Sequence, residues 1–558
     1  MNHFFADKVR KLREKIDKSL VSCPFEKLKK KLHQTGRRFS FQNTDNYTVR
    51  KILKNMKKSN SAACDGISTN VIKPVIEEIS PFLTIVINKS LEEGTFPDVY
   101  KKAKITCLYK GKGKKTEMSS YRPISNLPLF GKVLETVVDH QVRQYFEECK
   151  FLGHNQHGFR KGRSTNSALL SACTRWTEDK HKGYFQGCLL FDLSAAYDVL
   201  DKDIFIQKAK LYGLDETATA WFSSYLTGRI QVVQIGTGIS VEITILFGTP
   251  QGSCLSCLIF IIFIADCEDW IVTGKLQCYA DDSFLTVKAS SIEELKAKLE
   301  EEGSRVLEYF ASNNLIANAE KSDLLIFRPS KETIDISIQL NGTEIQESKV
   351  SRILGVQVSR NLKWKTHREK LAKDVNYRIG KLARLSRNLG TRELKMIAHG
   401  LVNSKLRYCL STYGSDALRL SESDSKNAEM KALQTLQNKM ARTILHITPG
   451  EKARTSDILS KLDLLSINQL CALDVLMAAW NAKLFGIDPL QDFDNKKQAQ
   501  KGLRYQARGD VRTDYSSPQS FPHIAHRLWN MTSNRFRTTN LAKVAKEEAR
   551  ILVKQLPI

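Results

Sequence analysis

Long hydrophobic runs are missing from this 558-residue chain. The longest apolar stretch, Cys257 to Ala265, is too short to cross a bilayer. The first residues, Met1-Asn-His-Phe-Phe-Ala-Asp-Lys8, lack the apolar core of a secretory signal. No membrane partner is expected. Cysteine forms no disulfide-like framework. The twelve residues are scattered, and several (Cys188, Cys278, Cys471) sit within apolar runs as free core thiols do. Cys254 and Cys257 are spaced like metal ligands, but with no second Cys or His pair nearby zinc is not expected. A reducing, intracellular compartment follows, nucleus or cytoplasm. Acid is also in short supply, with 60 Asp plus Glu against 86 Lys plus Arg. The resulting +26 is spread along the chain, which makes nucleic acid the expected partner, bound in a salt-dependent way. No internal repeat is present, and 42 % apolar residues suffice for a substantial core.

What is present centres on Lys275 to Val287. Leu276, Cys278 and Ala280 alternate before two adjacent acids, Asp281 and Asp282, and Leu285 and Val287 resume the pattern after them. This spacing predicts a β-hairpin whose turn carries the acids. Their repulsion is relieved either by solvent or by a divalent cation, and Mg²⁺ takes such hard oxygen ligands. Upstream, Cys188-Leu-Leu-Phe191 reads as a buried strand ending in Asp192. A carboxylate there needs a partner; capping the next helix is the other reading. If this strand pairs beside the hairpin, three carboxylates converge, and two Mg²⁺ ions could bridge them as in two-metal nucleotidyl transfer.

Basic loops accompany the acids. A strand at Ile105 to Leu108 empties into Tyr109-Lys-Gly-Lys-Gly-Lys-Lys115, followed by Ser120-Tyr-Arg-Pro-Ile-Ser-Asn126. Arg122 offers a planar fork, and Lys110 and Lys112 mobile point charges, for a polyphosphate. The spacing is not that of a P-loop, and a solvated basic loop is the alternative. A hairpin is expected from Ile230 to Leu246. Gly248-Thr-Pro-Gln-Gly-Ser253 then opens an apolar helix, its glycines permitting close backbone approach to a ligand.

Five stretches, taken together and in order, resemble the reverse transcriptase of non-LTR (LINE-type, Jockey/CR1-like) retrotransposons. They are Tyr121-Arg-Pro-Ile-Ser125, Gly158-Phe-Arg-Lys-Gly-Arg-Ser-Thr165, Phe191-Asp-Leu-Ser-Ala-Ala-Tyr197, Gly248-Thr-Pro-Gln-Gly-Ser253 and Tyr279-Ala-Asp-Asp282. Leu354-Gly-Val356, with Trp364 and His367, resembles the segment that supports the primer end. The similarity is strongest over 100–370. Cys257 stands where the family usually has Pro, and Phe310 replaces a common Trp. The endonuclease domain usual upstream and a downstream Cys/His knuckle are not seen, so a polymerase portion is expected, with any endonuclease supplied separately.

The resemblance implies an α+β right-hand polymerase of fingers, palm and thumb with an antiparallel palm sheet. It implies RNA-directed DNA synthesis on an RNA template from a DNA primer or target DNA, with dNTPs and two Mg²⁺ ions (Mn²⁺ a substitute). Asp192 and Asp281 would be the principal metal ligands, with Asp282 the second hairpin acid and Leu193 lending a backbone carbonyl. One ion would lower the pKa of the primer 3′-hydroxyl and the other steady the leaving pyrophosphate. Arg122 with Lys110 or Lys112 would hold the triphosphate. Tyr197 would crowd the sugar 2′ position, and Gln251 and Gly252 would line the new base pair. Lys321 falls where the class carries a lysine that protonates pyrophosphate; a surface lysine is the other reading. A cellular or intron-encoded reverse transcriptase, and a catalytically inactive nucleic-acid-binding relic, are the alternatives.

The expected organisation is a basic linker at 1–45, a helical extension at 46–100, fingers and palm at 101–358, a helical thumb and connection at 359–489, and a basic segment at 490–558. In the extension, Asp45 is a helix N-cap, Val71, Ile72, Val75, Ile76 and Ile79 form an apolar face broken at Pro81, and Gly94 ends a helix. Asn341-Gly342 closes a hairpin. Further helices are expected near 392–413, 426–446 and 467–485. Trp529-Asn530 resembles the family's C-terminal motif; an RNA-binding face and a solvated surface are both open for this last segment.

Overall fold

Alternation along one buried strand separates the two larger hydrophobic cores; a third, small one gathers Phe5, Ala103, Ile105, Leu127 and Val233. The computed structural model describes every residue except 17, 33–35, 318–321, 330–334, 426, 449 and 489–520, and its helices and strands mix in an α+β arrangement. Thirteen strands form among the described residues: β1 Lys102–Tyr109, β2 Tyr121–Asn126, β3 Phe185–Phe191, β4 Arg229–Ile235, β5 Gly238–Ile239, β6 Ile243–Ile245, β7 Lys275–Tyr279, β8 Asp282–Ala289, β9 Asp323–Phe327, β10 Ser337–Leu340, β11 Thr343–Gln346, β12 Val350–Ile353 and β13 Val356–Ser359. β7, β8, β3 and β9 make an antiparallel sheet in that order. Successive side chains on a strand point to opposite faces. Leu189, Phe191, Leu285, Val287, Leu324 and Ile326 therefore enter one core, and Cys188, Phe284, Leu325 and Phe327 the other. Covering both faces explains why Cys188–Phe191 is a continuous apolar run.

The first core joins this sheet to the N-terminal helices and to the helices Leu129–Glu148, Glu216–Leu226 and Cys254–Phe263. A second sheet runs β2-β1-β4-β5, with β6 also on β4. β1 pairs β2 antiparallel and β4 parallel. The hairpin expected from Ile230 to Leu246 forms, β4 pairing antiparallel with both β5 and β6; its return strand is split between them at Ser240, whose Oγ accepts the Val233 N–H at 3.0 Å. The helix Asn2–Arg13 docks on this sheet, Asn2 donating to the Gln231 and Val241 carbonyls.

In the leader, Asp45 caps Asn46–Asn55 by accepting the Thr48 N–H at 2.6 Å, and Gly94 follows Ile76–Glu92 at φ +62°. The apolar face read through Ile79 is corrected. A 3-10 turn at Lys73–Val75 changes the phase, so Ile72 and Ile76 are buried while Val71 and Val75 are exposed. Pro81 does not break the helix but lies within Ile76–Glu92 on its exposed side.

Asn341 and Gly342 both take positive φ between β10 and β11, as a two-residue primed turn requires. The second core gathers Lys365–Leu385, Ala428–Ile444 and Ile467–Phe485. The helix expected near 392–413 is interrupted by a π turn, His399–Asn403, and again at Cys409, which has φ +57°. Of the segment 490–558, residues 490–520 lie outside the described ones. The rest forms Phe521–Met531, Asn534–Thr538 and Ala542–Val553, whose Phe521, Leu528, Trp529, Phe536 and Val553 enter the same core. Among the described residues no helix is long and apolar enough to cross a membrane.

Candidate active site

The hairpin predicted from Lys275 to Val287 forms, with Tyr279 opposite Asp282 and Ala280 and Asp281 in the turn. Ala280 takes φ +57°, and its N–H is donated to Gln156 Oε1 at 3.1 Å. The segment before Gly158 lies along β7, His157 N–H donating to the Cys278 carbonyl at 2.8 Å. A Cβ at Gly158 would stand 2.4 Å from Ala280 N, so only glycine fits against this turn.

β3 brings the third acid. Phe191 pairs with Ser283, and continuing that antiparallel register by one residue sets Asp192 beside Asp282. Asp192 does not cap the following helix: that position belongs to Ala195, at φ +52°. Burial raises the proton affinities of Asp281 and Asp282, and the charge of Asp192 raises both further. Asp281 adds to the repulsion on Asp282, while Arg122 on β2 pulls Asp281 the other way. Among the described residues no three or more His, Cys, Asp or Glu side chains stand as a closed metal-binding group. The donor set nevertheless fits a hard divalent cation: three carboxylates from two neighbouring strands share one field, and their mutual repulsion falls when a cation enters.

Arg122, which acts on Asp281, belongs to a cluster of cations. Lys110 Nζ donates to the Ser119 carbonyl at 2.7 Å. Burial lowers its pKa, and Lys8, Arg122 and Lys112 lower it further, with Asp198 opposing. Three of these four cations were expected from the sequence. Lys8, delivered by the docked helix Asn2–Arg13, was not, because nothing local marks it within a basic stretch.

Gln251 and Gly252 lie against β2, the strand that carries Arg122. Ser125 N–H on β2 donates to the Gln251 carbonyl at 2.6 Å, and Gln251 Nε2 donates to Asp198 Oδ1 at 2.7 Å. Gly252 has φ +121°, and a Cβ there would meet the Ser125 carbonyl oxygen at 2.6 Å. The Tyr197 ring lies tilted over Phe260 at 4.8 Å; burial raises its hydroxyl pKa, and Asp281 contributes, placing Tyr197 within the acids' field. Leu193 is bridged to Ala317, and Ser194 N–H donates to the Ile316 carbonyl at 2.8 Å. Lys321 lies outside the described residues.

One further aromatic was not legible beforehand. Tyr408, from the C-terminal helices, donates its hydroxyl to the Leu354 carbonyl at 2.7 Å and lies against Gly355. Asp282 and Tyr279 both act on its titration, so the turn Leu354-Gly355 and the acid hairpin share a neighbour that lies 54 residues beyond Leu354 and further still beyond the hairpin.

Residues 112–358 match the family described as reverse transcriptase (RNA-dependent DNA polymerase). A putative 115 kDa protein of the type-1 retrotransposable element R1DM of Drosophila melanogaster is 28% identical over 60% of this chain and 32% of its own length. The RNA-directed DNA polymerase from mobile element jockey of Drosophila funebris is 26% identical over 71% of this chain and 43% of its own. A probable RNA-directed DNA polymerase from transposon X-element of Drosophila melanogaster is 24% identical, with the same two coverages of 71% and 43%. The chain thus spans less than half the length of these curated relatives.

Proposed function

We propose, from the match of residues 112–358 to the reverse transcriptase family, that this chain is the RNA-directed DNA polymerase of a non-LTR retrotransposon, adding dNTPs to a primer 3′-hydroxyl on an RNA template. On this reading the sheet β7-β8-β3-β9 is the palm, the sheet β2-β1-β4-β5 belongs to the fingers, and the helices from Lys365 onward form thumb and connection. Asp192, Asp281 and Asp282, with the Leu193 carbonyl, would hold two Mg²⁺ ions. Bound there, the ions supply Lewis acidity for the attacking hydroxyl and the leaving pyrophosphate. Arg122, Lys110 and Lys112 bind the triphosphate by charge, and Lys321 is the candidate proton donor to pyrophosphate. Tyr197 restricts the sugar 2′ position, and Gln251 and Gly252 line the new base pair.

The observation that carries this reading is the meeting of three carboxylates across the β3–β8 pair, with the charge of Arg122 from the neighbouring sheet opposing the rise in the Asp281 pKa. Primer extension by the purified chain on an RNA template with Mg²⁺ tests it. Asp281→Asn is expected to reduce extension about a hundred-fold or more while leaving nucleic-acid binding in place. Binding without extension by the unaltered chain would leave the inactive relic as the correct reading.

A further inference from the structure

Glu135 is a buried carboxylate that the proposed chemistry does not use. It lies on the helix Leu129–Glu148 and is 1 % exposed. Ser253 Oγ donates to its Oε2 at 2.7 Å, and the Tyr225 hydroxyl donates to its Oε1 at 3.1 Å. Burial raises the Glu135 pKa, and Arg229, stacked over the Tyr225 ring at 4.8 Å, and then Lys132 pull it the other way. An apolar side chain of the same volume would fill this space without burying a charge. Instead, one carboxylate oxygen takes the hydroxyl of a residue with a second task. Ser253 Oγ accepts the Leu255 and Ser256 N–H groups at 3.0 and 3.2 Å, and so caps the helix Cys254–Phe263.

The turn immediately before that cap carries Gln251 and Gly252. Its front is tied to β2 by the Ser125 N–H and to Asp198 by the Gln251 side chain. At its back, Ser253 Oγ donates to Glu135 and lies 2.9 Å from the Tyr225 hydroxyl, which itself donates to Glu135, while Ser256 Oγ donates to the Pro250 carbonyl at 3.0 Å. We propose that Glu135 is a positioning residue of the nucleotide pocket: acting through Ser253, it fixes the turn that presents Gln251 and Gly252 to the incoming base pair. The inference rests on the polymerase reading above.

Steady-state extension by the full chain, with one dNTP varied, tests it. Glu135→Gln and Ser253→Ala should each raise the dNTP KM about ten-fold, the effect of losing one hydrogen bond to a charged group. The kcat should stay within about three-fold and template–primer affinity should not change. The double variant should cost less than the sum of the singles, because the two residues share the Ser253–Glu135 contact. An unchanged KM in variants with wild-type melting temperature overturns the inference, as does a loss that follows melting temperature and weakens template–primer binding equally. Should Glu135→Gln fail to fold, Ser253→Ala carries the same test. If the unaltered chain does not extend a primer, the polymerase reading has failed; if it extends and the variants match it, only the role of Glu135 has.

Discussion

Gly252 and His367 show how single residues express the fold. Gly252→Ala would combine a left-handed backbone with a Cβ 2.6 Å from the Ser125 carbonyl oxygen. The strain costs about 1–3 kcal/mol and pushes β2, which carries Arg122, away from the turn. The expected outcome is a lower melting temperature together with a raised dNTP KM, read by thermal unfolding and extension kinetics. His367 accepts the Gln357 N–H at its Nδ1 and packs edge-on to Tyr413, so its ring is neutral in the fold. Burial first, then Arg368 and Lys370, lower its pKa from 6.5 to about 4. Below the unfolded value the unfolded chain binds the proton first, so stability is full above about pH 6.5 and falls as the pH drops toward 4. His367→Gln should flatten that slope in urea titrations run across this window; an unchanged slope contradicts the assignment. At this scale the acids and Arg122 were readable because each ends or adjoins a recognisable strand. Lys8, Asp198 and Tyr408 were not, because their roles come from neighbours far away in the chain.

Among the elements, the C-terminal helices depart furthest from expectation. A polar, basic composition suggested a surface, yet Phe521–Met531 places Trp529 at 1 % exposure against Phe536, with its neighbours in the core shared by Ile467–Phe485. Trp529→Ala is expected to destabilise the chain by about 3–5 kcal/mol, measured by denaturant unfolding, and to lower soluble yield. A loss below about 1 kcal/mol would indicate a solvated segment after all. Helical spacing was readable where it ran unbroken, as in Ile467–Phe485, which starts at a Ser466–Gln469 capping box. It misled where a 3-10 turn at Lys73–Val75 or a π turn at His399–Asn403 altered the residues per turn.

For the whole molecule, the surplus of +26 makes a prediction about how nucleic acid would be held on the proposed reading. Affinity for an RNA–DNA primer-template should fall about a thousand-fold between about 50 and 200 mM salt, measured by filter binding or anisotropy. A slope near zero would mean that the charge faces no phosphate backbone. Charge, the alternation that covers a sheet on both faces, and the order of the acid and basic segments were all determined by the sequence alone, since each is a property of residues a few positions apart. Which of those segments meet was decided by the tertiary structure. Asp192 stands beside Asp282 through the β3–β8 register, Lys8 joins Lys110 through a docked helix, and Glu135 reaches Ser253 across 118 residues. Such meetings depend on how several elements pack at once, and short-range periodicity carries no record of that.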